Sequence, residues 1–176
     1  MNKSTIIFWS IVMIAAVTIF VRYLTNKPIL VNGDKARGIA GQTISGDIIN
    51  LRQYEGHYIL LEFWGSWCAP CRKQNKTIRR IGEKYTDRHF KHNAGFKLVF
   101  FALEDDMGSW LKGIDKDSLN DFIHMVDTNR MEAEAALQYG IKSIPASFLI
   151  DPNFTIIGVN PDEKTITDIL EANLAR

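Results

Sequence analysis

The feature that most constrains the fold is an apolar run that ends just before the two cysteines of the chain. Residues 58–64 read YILLEFW, and only Glu62 interrupts the run. Apolar residues without alternation are typical of a strand that is buried on both faces of a sheet. Cys68 and Cys71 follow after a short turn, where a helical pattern begins. A buried strand that leads directly into a helix predicts an α/β fold.

The remainder of the chain alternates between strand and helix patterns. Helices between strands favour parallel pairing, and a closing hairpin adds antiparallel pairs, so we expect a mixed central sheet flanked by helices. A small hairpin is expected to precede this sheet. The predicted elements are hairpins at 44–51 and 147–159, strands at 96–103 and 122–126, and helices that begin at Cys68 and lie around 110–114, 131–139 and 162–175.

Composition excludes several classes of protein. The 176 residues contain 21 Lys and Arg against 20 Asp and Glu, which gives a net charge of +1. A nucleic-acid-binding domain is usually basic, so we expect no nucleic-acid partner. Two cysteines are too few for a disulfide-stapled scaffold or a four-cysteine zinc site.

The N-terminus carries an apolar segment without charge. Residues 6–21 read IIFWSIVMIAAVTIFV, and their neighbours extend them to the roughly 17 residues that a membrane span requires at minimum. We expect an uncleaved transmembrane anchor at residues 1–25, a linker at 26–38 and one domain at 39–176. A cleaved signal peptide is an alternative, although the run is followed by no Ala-x-Ala motif, and a buried core helix is another. A lipoprotein anchor is excluded because no cysteine follows the run.

The position of the first cysteine predicts its chemistry. A thiol at a helix N-terminus meets free N–H groups and the positive end of the helix dipole, which favour the thiolate. Such thiols titrate at about 3.5–7.5 instead of about 8.5. Arg72 and Lys73 add positive charge nearby, and Pro70 lies in the first turn, where its missing N–H costs nothing. Cys68 is therefore the predicted exposed nucleophile, and Cys71, one turn later, can close a short disulfide with it.

Other uses of the cysteine pair are weighed against redox chemistry. A c-type haem site needs a histidine after the second cysteine, where this chain has Arg72. A metal site needs more ligands, and the four histidines are scattered along the chain. A purely structural disulfide remains possible, although a loop this short constrains the chain little. We expect no metal and no cofactor.

The segment around the cysteine pair resembles that of a known family. Residues 62–71, EFWGSWCAPC, resemble the active-site segment of thioredoxin-like proteins, and more closely that of the membrane-anchored, extracytoplasmic TlpA/ResA type. The resemblance covers residues 39–176 and includes YGIKSIPASFLIDPNFTII at 139–157. It implies a thioredoxin-like fold.

The resemblance also implies roles for individual residues. Pro145 is expected to follow a cis peptide bond beside the dithiol, where the Ile144 backbone is presented to an extended client. Trp67, Ile144 and Pro145 are the predicted substrate-binding residues. Glu62 stands where the family has a buried acid beneath the dithiol, which makes it the predicted proton acceptor for Cys71. The alternative for Glu62 is a surface carboxylate at a sheet edge.

One departure from the family pattern concerns the first helix of the domain. Lys76 occupies the position where the family usually has a kinking proline, and residues 72–77 are all polar. We expect a straighter helix with a more basic face. Partners inferred from the family resemblance are therefore less secure, whereas the expected dithiol chemistry is unaffected.

The leading hypothesis is a membrane-tethered thiol–disulfide oxidoreductase that reduces disulfide-containing client proteins on the periplasmic side of the inner membrane. The resemblance implies reduction of the haem-site cysteines of apocytochrome c and a membrane electron donor that re-reduces the dithiol. Charges at Lys3, Arg22 and Lys27 do not fix the orientation of the anchor. A non-catalytic anchored binding module is one alternative. A thiol peroxidase is another, but Leu61 and Gly65 replace the Pro and Thr or Ser expected of that class.

Overall fold

The computed structural model describes residues 3–25 and 29–175. In this part of the chain a seven-stranded sheet has the order β2-β1-β5-β4-β3-β6-β7. The strands are β1 (Ala40–Gln42), β2 (Ile48–Asn50), β3 (Tyr58–Trp64), β4 (Phe96–Leu103), β5 (Ile123–Asp127), β6 (Ala146–Ile150) and β7 (Ile156–Val159). The helices are α1 (Lys3–Thr25), α2 (Ala69–Tyr85), α3 (Met107–Lys116), α4 (Glu134–Tyr139) and α5 (Glu163–Ala172).

The sheet is mixed, as the sequence predicts. Strands β3, β4 and β5 are parallel and form its centre. Strand β6 runs antiparallel to β3 and pairs with β7 in the closing hairpin. The N-terminal hairpin of β1 and β2 joins the opposite edge through β5. Crossovers through α2 and α3 produce the parallel pairs, and the two hairpins produce the antiparallel pairs β1–β2 and β6–β7. The antiparallel pairs β3–β6 and β1–β5 join strands that are distant in sequence.

Two hydrophobic cores lie on the two faces of the sheet. One core contains Leu61 and Phe63 of β3 and packs under α4. The other contains Leu60 and Trp64 and packs under α2, α3 and α5. All seven residues of β3 are buried, which explains why its sequence lacks the alternation of a half-exposed strand. Because side chains alternate along a strand, Glu62 shares the α2 face with Leu60 and Trp64.

The helix predicted at 131–139 is shorter than expected. A 3-10 turn occupies Arg130–Glu132, and α4 begins only at Glu134. Ala133 between them has ψ 137°, an extended conformation that interrupts the helix. Gly140 ends α4 in the left-handed conformation, with φ 63°, as its position predicts.

Part of the predicted linker packs against the domain. Leu30 and Ala36 are buried in the core under α4. The Gly33 N–H donates to the Ile156 carbonyl oxygen at 2.8 Å, and the Ala36 N–H donates to that of Phe154 at 2.9 Å. The packed part of the chain therefore begins before the predicted boundary at residue 39.

Helix α1 covers most of the predicted anchor. Its side chains from Phe8 to Val21 are exposed, and most of them are apolar. Among residues 3–25 and 29–175, no helix is both long enough and apolar enough to cross a membrane. The transmembrane anchor at residues 1–25 stays a prediction.

The close packing of α2 on β4 depends on Gly82. A Cβ atom at Gly82 would lie 2.5 Å from Leu98 Cδ2 and 2.5 Å from Phe122 Cε1. Gly→Ala inside a helix ordinarily stabilises by about 0.5–1 kcal/mol. Here we expect Gly82→Ala to destabilise the protein by about 1–3 kcal/mol, because the added methyl group overpacks the core. Urea denaturation measures the change.

Gly108 provides the matched control for this substitution. It lies exposed in the first turn of α3, and its Cβ position is 3.4 Å from the nearest neighbouring atom, on Asp106. Gly108→Ala should be neutral or slightly stabilising. Equal effects of the two substitutions would contradict the packing argument.

Candidate active site

Cys68 and Cys71 form a disulfide at the start of α2. Cys68 is the N-cap residue, and the Cys71 N–H donates to its Sγ at 3.2 Å. Cys68 is 5% exposed and Cys71 is fully buried. The first cysteine is thus the more accessible of the two, but it is less exposed than predicted, because the loop before β6 covers it.

The helix start supports the predicted chemistry of the first thiol. The free N–H groups and the dipole of a 17-residue helix are directed at the position of Cys68 Sγ. When the disulfide is reduced, these groups stabilise the Cys68 thiolate. Helix α2 continues without a break past Lys76, where the family has a kinking proline.

The loop that covers the disulfide contains a cis peptide bond between Ile144 and Pro145, as predicted. The Ile144 carbonyl oxygen lies 3.7 Å from Cys68 Sγ. Both Ile144 and Pro145 are half-buried, so part of each remains accessible beside the sulfur. The fold therefore brings together residues that are 76 positions apart in sequence.

Trp67, the residue before Cys68, is held as a fixed and partly exposed ring. Its side chain is 45% exposed, and its indole Nε1–H donates to the Leu103 carbonyl oxygen at 2.9 Å. The Arg130 guanidinium stacks 4.9 Å from the ring centroid. Gly65 makes room for the ring, since a Cβ there would lie 2.7 Å from Nε1. These contacts hold the indole in one orientation next to the cysteines.

Glu62 is fully buried within the α2 face of β3, so the alternative of a surface carboxylate is wrong. Ser147 Oγ donates to Glu62 Oε2 at 2.6 Å, and Gln74 Nε2 donates to Oε1 at 3.2 Å. Burial raises the pKa of Glu62 from 4.5 to about 8, against the opposing effect of these two donors. Cys71 belongs to the same hydrophobic core as Leu60 and Trp64, which share the α2 face of β3 with Glu62.

Sequence reasoning missed the two donors to Glu62. Ser147 lies directly opposite Glu62 in the antiparallel pair of β6 and β3. Gln74 lies one turn after Cys71, so that both side chains point toward the sheet. The signal for Gln74 was its position on the apolar face of α2, but the signal for Ser147 depends on the register of two distant strands.

A second buried carboxylate fixes the turn between β3 and α2. Glu104 follows β4 and is fully buried. It accepts hydrogen bonds from the Ser66 N–H and from Ser66 Oγ, the latter at 3.0 Å. Burial raises the pKa of Glu104. Because Ser66 lies two residues before Cys68, this contact anchors the approach to the disulfide.

Arg72 is less available to the thiol than its sequence position suggests. Its guanidinium makes a two-pronged ion pair with Asp117 after α3, with Nη2 to Oδ1 at 2.6 Å. Asn75 Nδ2 donates to the same carboxylate at 3.0 Å. The positive charge of Arg72, one of the two cations predicted beside Cys68, is therefore paired with Asp117. Arg72 instead ties the first turn of α2 to the end of α3.

A groove opens beside the disulfide between α2 and α5. Its volume is about 530 Å³. Pro145 and Ser147 line the groove, and Ile78, Ile81 and Ile166 contribute apolar side chains. The lining residues are Pro70, Lys73, Gln74, Thr77, Ile78, Ile81, Pro145, Ser147, Asn160, Pro161, Asp162, Glu163 and Ile166.

The fold and the site define a class: a thioredoxin-type sheet that carries a disulfide at a helix start, opposite a cis-proline loop. A family model described as thioredoxin-like matches residues 56–156. The chain belongs to the thioredoxin-like family.

Individual relatives agree with this assignment. The chain is 26% identical over 171 residues to the thiol-disulfide oxidoreductase ResA of Bacillus thuringiensis subsp. konkukian, covering 94% of this chain and 92% of ResA. A structure from Chlorobium tepidum, described as a thiol:disulfide interchange protein DsbE, is similar with a TM-score of 0.69 and 27% identity, covering 81% of this chain and 97% of that one. The thioredoxin domain of a thiol-disulfide oxidoreductase from Bacteroides vulgatus shares the fold, with a TM-score of 0.71 and 21% identity, over 80% and 99% of the two chains.

The raised pKa of Glu62 predicts a pH-dependent effect on stability. In the unfolded chain Glu62 ionises near 4.5, whereas in the folded protein it stays protonated up to about 8. The folded state therefore binds more protons between these values, and the stability that Glu62 contributes is lost as pH rises through this window. Glu62→Gln removes the titration. The difference in the free energy of unfolding, variant minus wild type, should therefore increase by up to about 5 kcal/mol as the pH rises from 4.5 to 8.

Urea denaturation of the oxidised protein at several pH values measures this difference. Glu132→Gln, which changes an exposed glutamate, is the matched control for the loss of a carboxyl group. A Glu62→Gln difference that does not change with pH would show that the carboxyl ionises normally in the folded protein.

Proposed function

We propose that this thiol–disulfide oxidoreductase acts as a reductant of client protein disulfides. The observation that carries the proposal is the disulfide at the start of α2, with Cys68 Sγ 3.7 Å from the Ile144 carbonyl oxygen. This arrangement leaves the more accessible sulfur beside a backbone edge to which an extended peptide can pair.

The reaction begins with the reduced pair. The Cys68 thiolate attacks one sulfur of a client disulfide, and the other client sulfur leaves as a thiolate that takes up a proton. The product is a mixed disulfide between Cys68 and the client. The client disulfide has been broken, and one new sulfur–sulfur bond has formed.

Resolution of the mixed disulfide requires the second cysteine. The Cys71 thiol passes its proton to the Glu62 carboxylate, and the resulting thiolate attacks Cys68 Sγ. The second client sulfur leaves with the electron pair and is protonated. Two electrons and two protons have then moved to the client, and the protein holds the disulfide seen in the structure.

Geometry supports Glu62 as the proton acceptor in this step. Its carboxyl lies on the α2 face of β3, and Cys71 packs into the core on that face. A carboxyl whose pKa is about 8 can take and release a proton near neutral pH. Trp67, Ile144 and Pro145 surround Cys68 and are the residues proposed to contact the client.

The proposed location is the outer side of the inner membrane, with residues 1–25 as an anchor. The exposed apolar side chains of α1 support this proposal, because a lipid environment is where such a surface is stable. The resemblance of the active-site segment to the membrane-anchored TlpA/ResA type also supports this setting, and the similarity to the thiol-disulfide oxidoreductase ResA supports dithiol exchange. We further propose apocytochrome c cysteines as clients and a membrane protein as the electron donor that re-reduces Cys68 and Cys71.

Replacing each cysteine separately tests the assignment of their roles. Cys71→Ser leaves the nucleophile but removes the resolving thiol, so it should accumulate mixed disulfides with clients. Cys68→Ser should accumulate few, because Cys71 is buried. Non-reducing gels after acid quenching and alkylation measure the trapped species. The opposite pattern would assign the attacking thiol to Cys71.

A fusion tests the proposed location. Alkaline phosphatase is active only after export, so a fusion after residue 176 should be active in cells. The matched control lacks residues 1–25 and should be inactive. An inactive full-length fusion would contradict an extracytoplasmic domain.

A further inference from the structure

Three polar side chains form a closed cluster of hydrogen bonds beside the groove. Glu62 is fully buried, Ser147 is 2% exposed, and Gln74 is half-buried. Both Ser147 and Gln74 line the groove, whereas Glu62 does not. The two residues therefore lie between the buried carboxyl and the solvent that the groove admits.

The hydrogen bonds in this cluster have a definite direction. Ser147 Oγ donates to Glu62 Oε2 at 2.6 Å. Gln74 Nε2 donates to Glu62 Oε1 at 3.2 Å and to Ser147 Oγ at 3.1 Å. Each of these donors favours the ionised form of the carboxyl, because a carboxylate only accepts hydrogen bonds.

The elements packed around Glu62 supply neutral groups. Strand β6 contributes Ser147, strand β4 places Phe100 opposite Glu62, and α2 contributes Gln74. The charged residues that line the adjoining groove are Lys73, Asp162 and Glu163. Two neutral donors, in place of a cation, thus oppose the effect of burial on the carboxyl.

We propose that Ser147 and Gln74 are positioning residues that keep Glu62 ionisable and connect it to solvent in the groove. The proposal rests on the function proposed above, in which Glu62 takes the proton of Cys71. In this proposal the proton leaves through the groove at Ser147.

The Ser147 hydroxyl group can relay the proton without a net change in its own protonation. Protonated Glu62 passes its proton to Ser147 Oγ, while the Ser147 hydroxyl proton passes to a solvent molecule in the groove. The hydroxyl then turns back toward Glu62 Oε2, which restores the arrangement in the structure. Gln74 keeps Ser147 Oγ and Glu62 in contact during this exchange, because its amide donates to both of them. A neutral carboxamide neither gains nor loses a proton near neutral pH, so the role of Gln74 is positional.

Substitutions at the two positions separate this account from a structural role. Ser147→Ala and Gln74→Met each remove a donor to the carboxylate. Because a hydrogen bond to a charged group is comparatively strong, each should raise the pKa of Glu62 by about one to two units. Ser147→Thr keeps the hydroxyl and should behave like the wild type. The matched controls are Ser45→Ala and Gln138→Met, which change exposed residues that also donate to carboxylates.

A coloured disulfide supplies the kinetic readout. The reduced full-length protein is mixed with an aromatic disulfide, 5,5′-dithiobis(2-nitrobenzoate), in a stopped-flow instrument. Attack by Cys68 releases one coloured thiolate, and attack by Cys71 on the mixed disulfide releases a second. At pH 7 the second phase should slow by about 10-fold or more in Ser147→Ala and Gln74→Met, since each pKa unit lowers the ionised fraction of Glu62 about 10-fold. Above pH 10 the rates should approach that of the wild type.

An NMR titration supplies a readout that is independent of turnover. The side-chain carboxyl carbon of Glu62, labelled with ¹³C and assigned by its loss in Glu62→Gln, reports the ionisation directly. The titration midpoint should rise in Ser147→Ala and Gln74→Met, and it should stay unchanged in Ser147→Thr and in both controls. A lower melting temperature with unchanged midpoint and pH profile would make the two residues structural only.

The outcomes distinguish this proposal from the function on which it rests. If the wild type releases two thiolates but the variants keep its pH profile, the proton route is overturned and the oxidoreductase stands. If the wild type releases no second thiolate, the proposed function fails, whatever the NMR titration shows. A raised midpoint together with a slowed second phase supports both.

Discussion

The site depends on one junction, where the chain passes from a fully buried strand into a helix within five residues. Strand β3 is paired with β4 on one side and with β6 on the other, which fixes the position of its end in the sheet. Helix α2 starts at Ala69, which places Cys68 at the N-cap, where backbone N–H groups are free. Glu104 holds the turn between them through Ser66. The chemistry of the disulfide follows from this fixed geometry.

The burial of Glu62 is the main destabilising feature of this arrangement. A carboxyl in the middle of an apolar strand resists ionisation, and an aliphatic residue there would pack without that penalty. Ser147 and Gln74 offset part of the penalty with hydrogen bonds. The result is a carboxyl with a pKa of about 8, which can accept a proton from a thiol near neutral pH. Burial of Glu62 therefore lowers the stability of the fold while it makes the carboxyl suited to proton transfer.

Local patterns in the sequence were sufficient to predict the centre of the fold. The apolar run of β3 and the cysteine pair predicted the strand, the helix start and the disulfide, and the family resemblance predicted the cis bond before Pro145. Features that depend on distant pairing were missed. Ser147 meets Glu62 across 85 positions, and Arg72 is neutralised by Asp117 from another helix. The break in the predicted helix at Ala133 and the packing of Leu30 likewise reflect tertiary contacts that composition does not encode.

The central claim is that the Cys68–Cys71 pair donates electrons to client disulfides. The reduction potential of the pair tests it most directly. The protein is equilibrated at pH 7 with thiol–disulfide buffers of known potential, and the fraction reduced is measured by alkylation and mass spectrometry. The account predicts a strongly reducing value, near the roughly −270 mV of thioredoxin. A value near −120 mV, about that of a disulfide-donating oxidase, would contradict it.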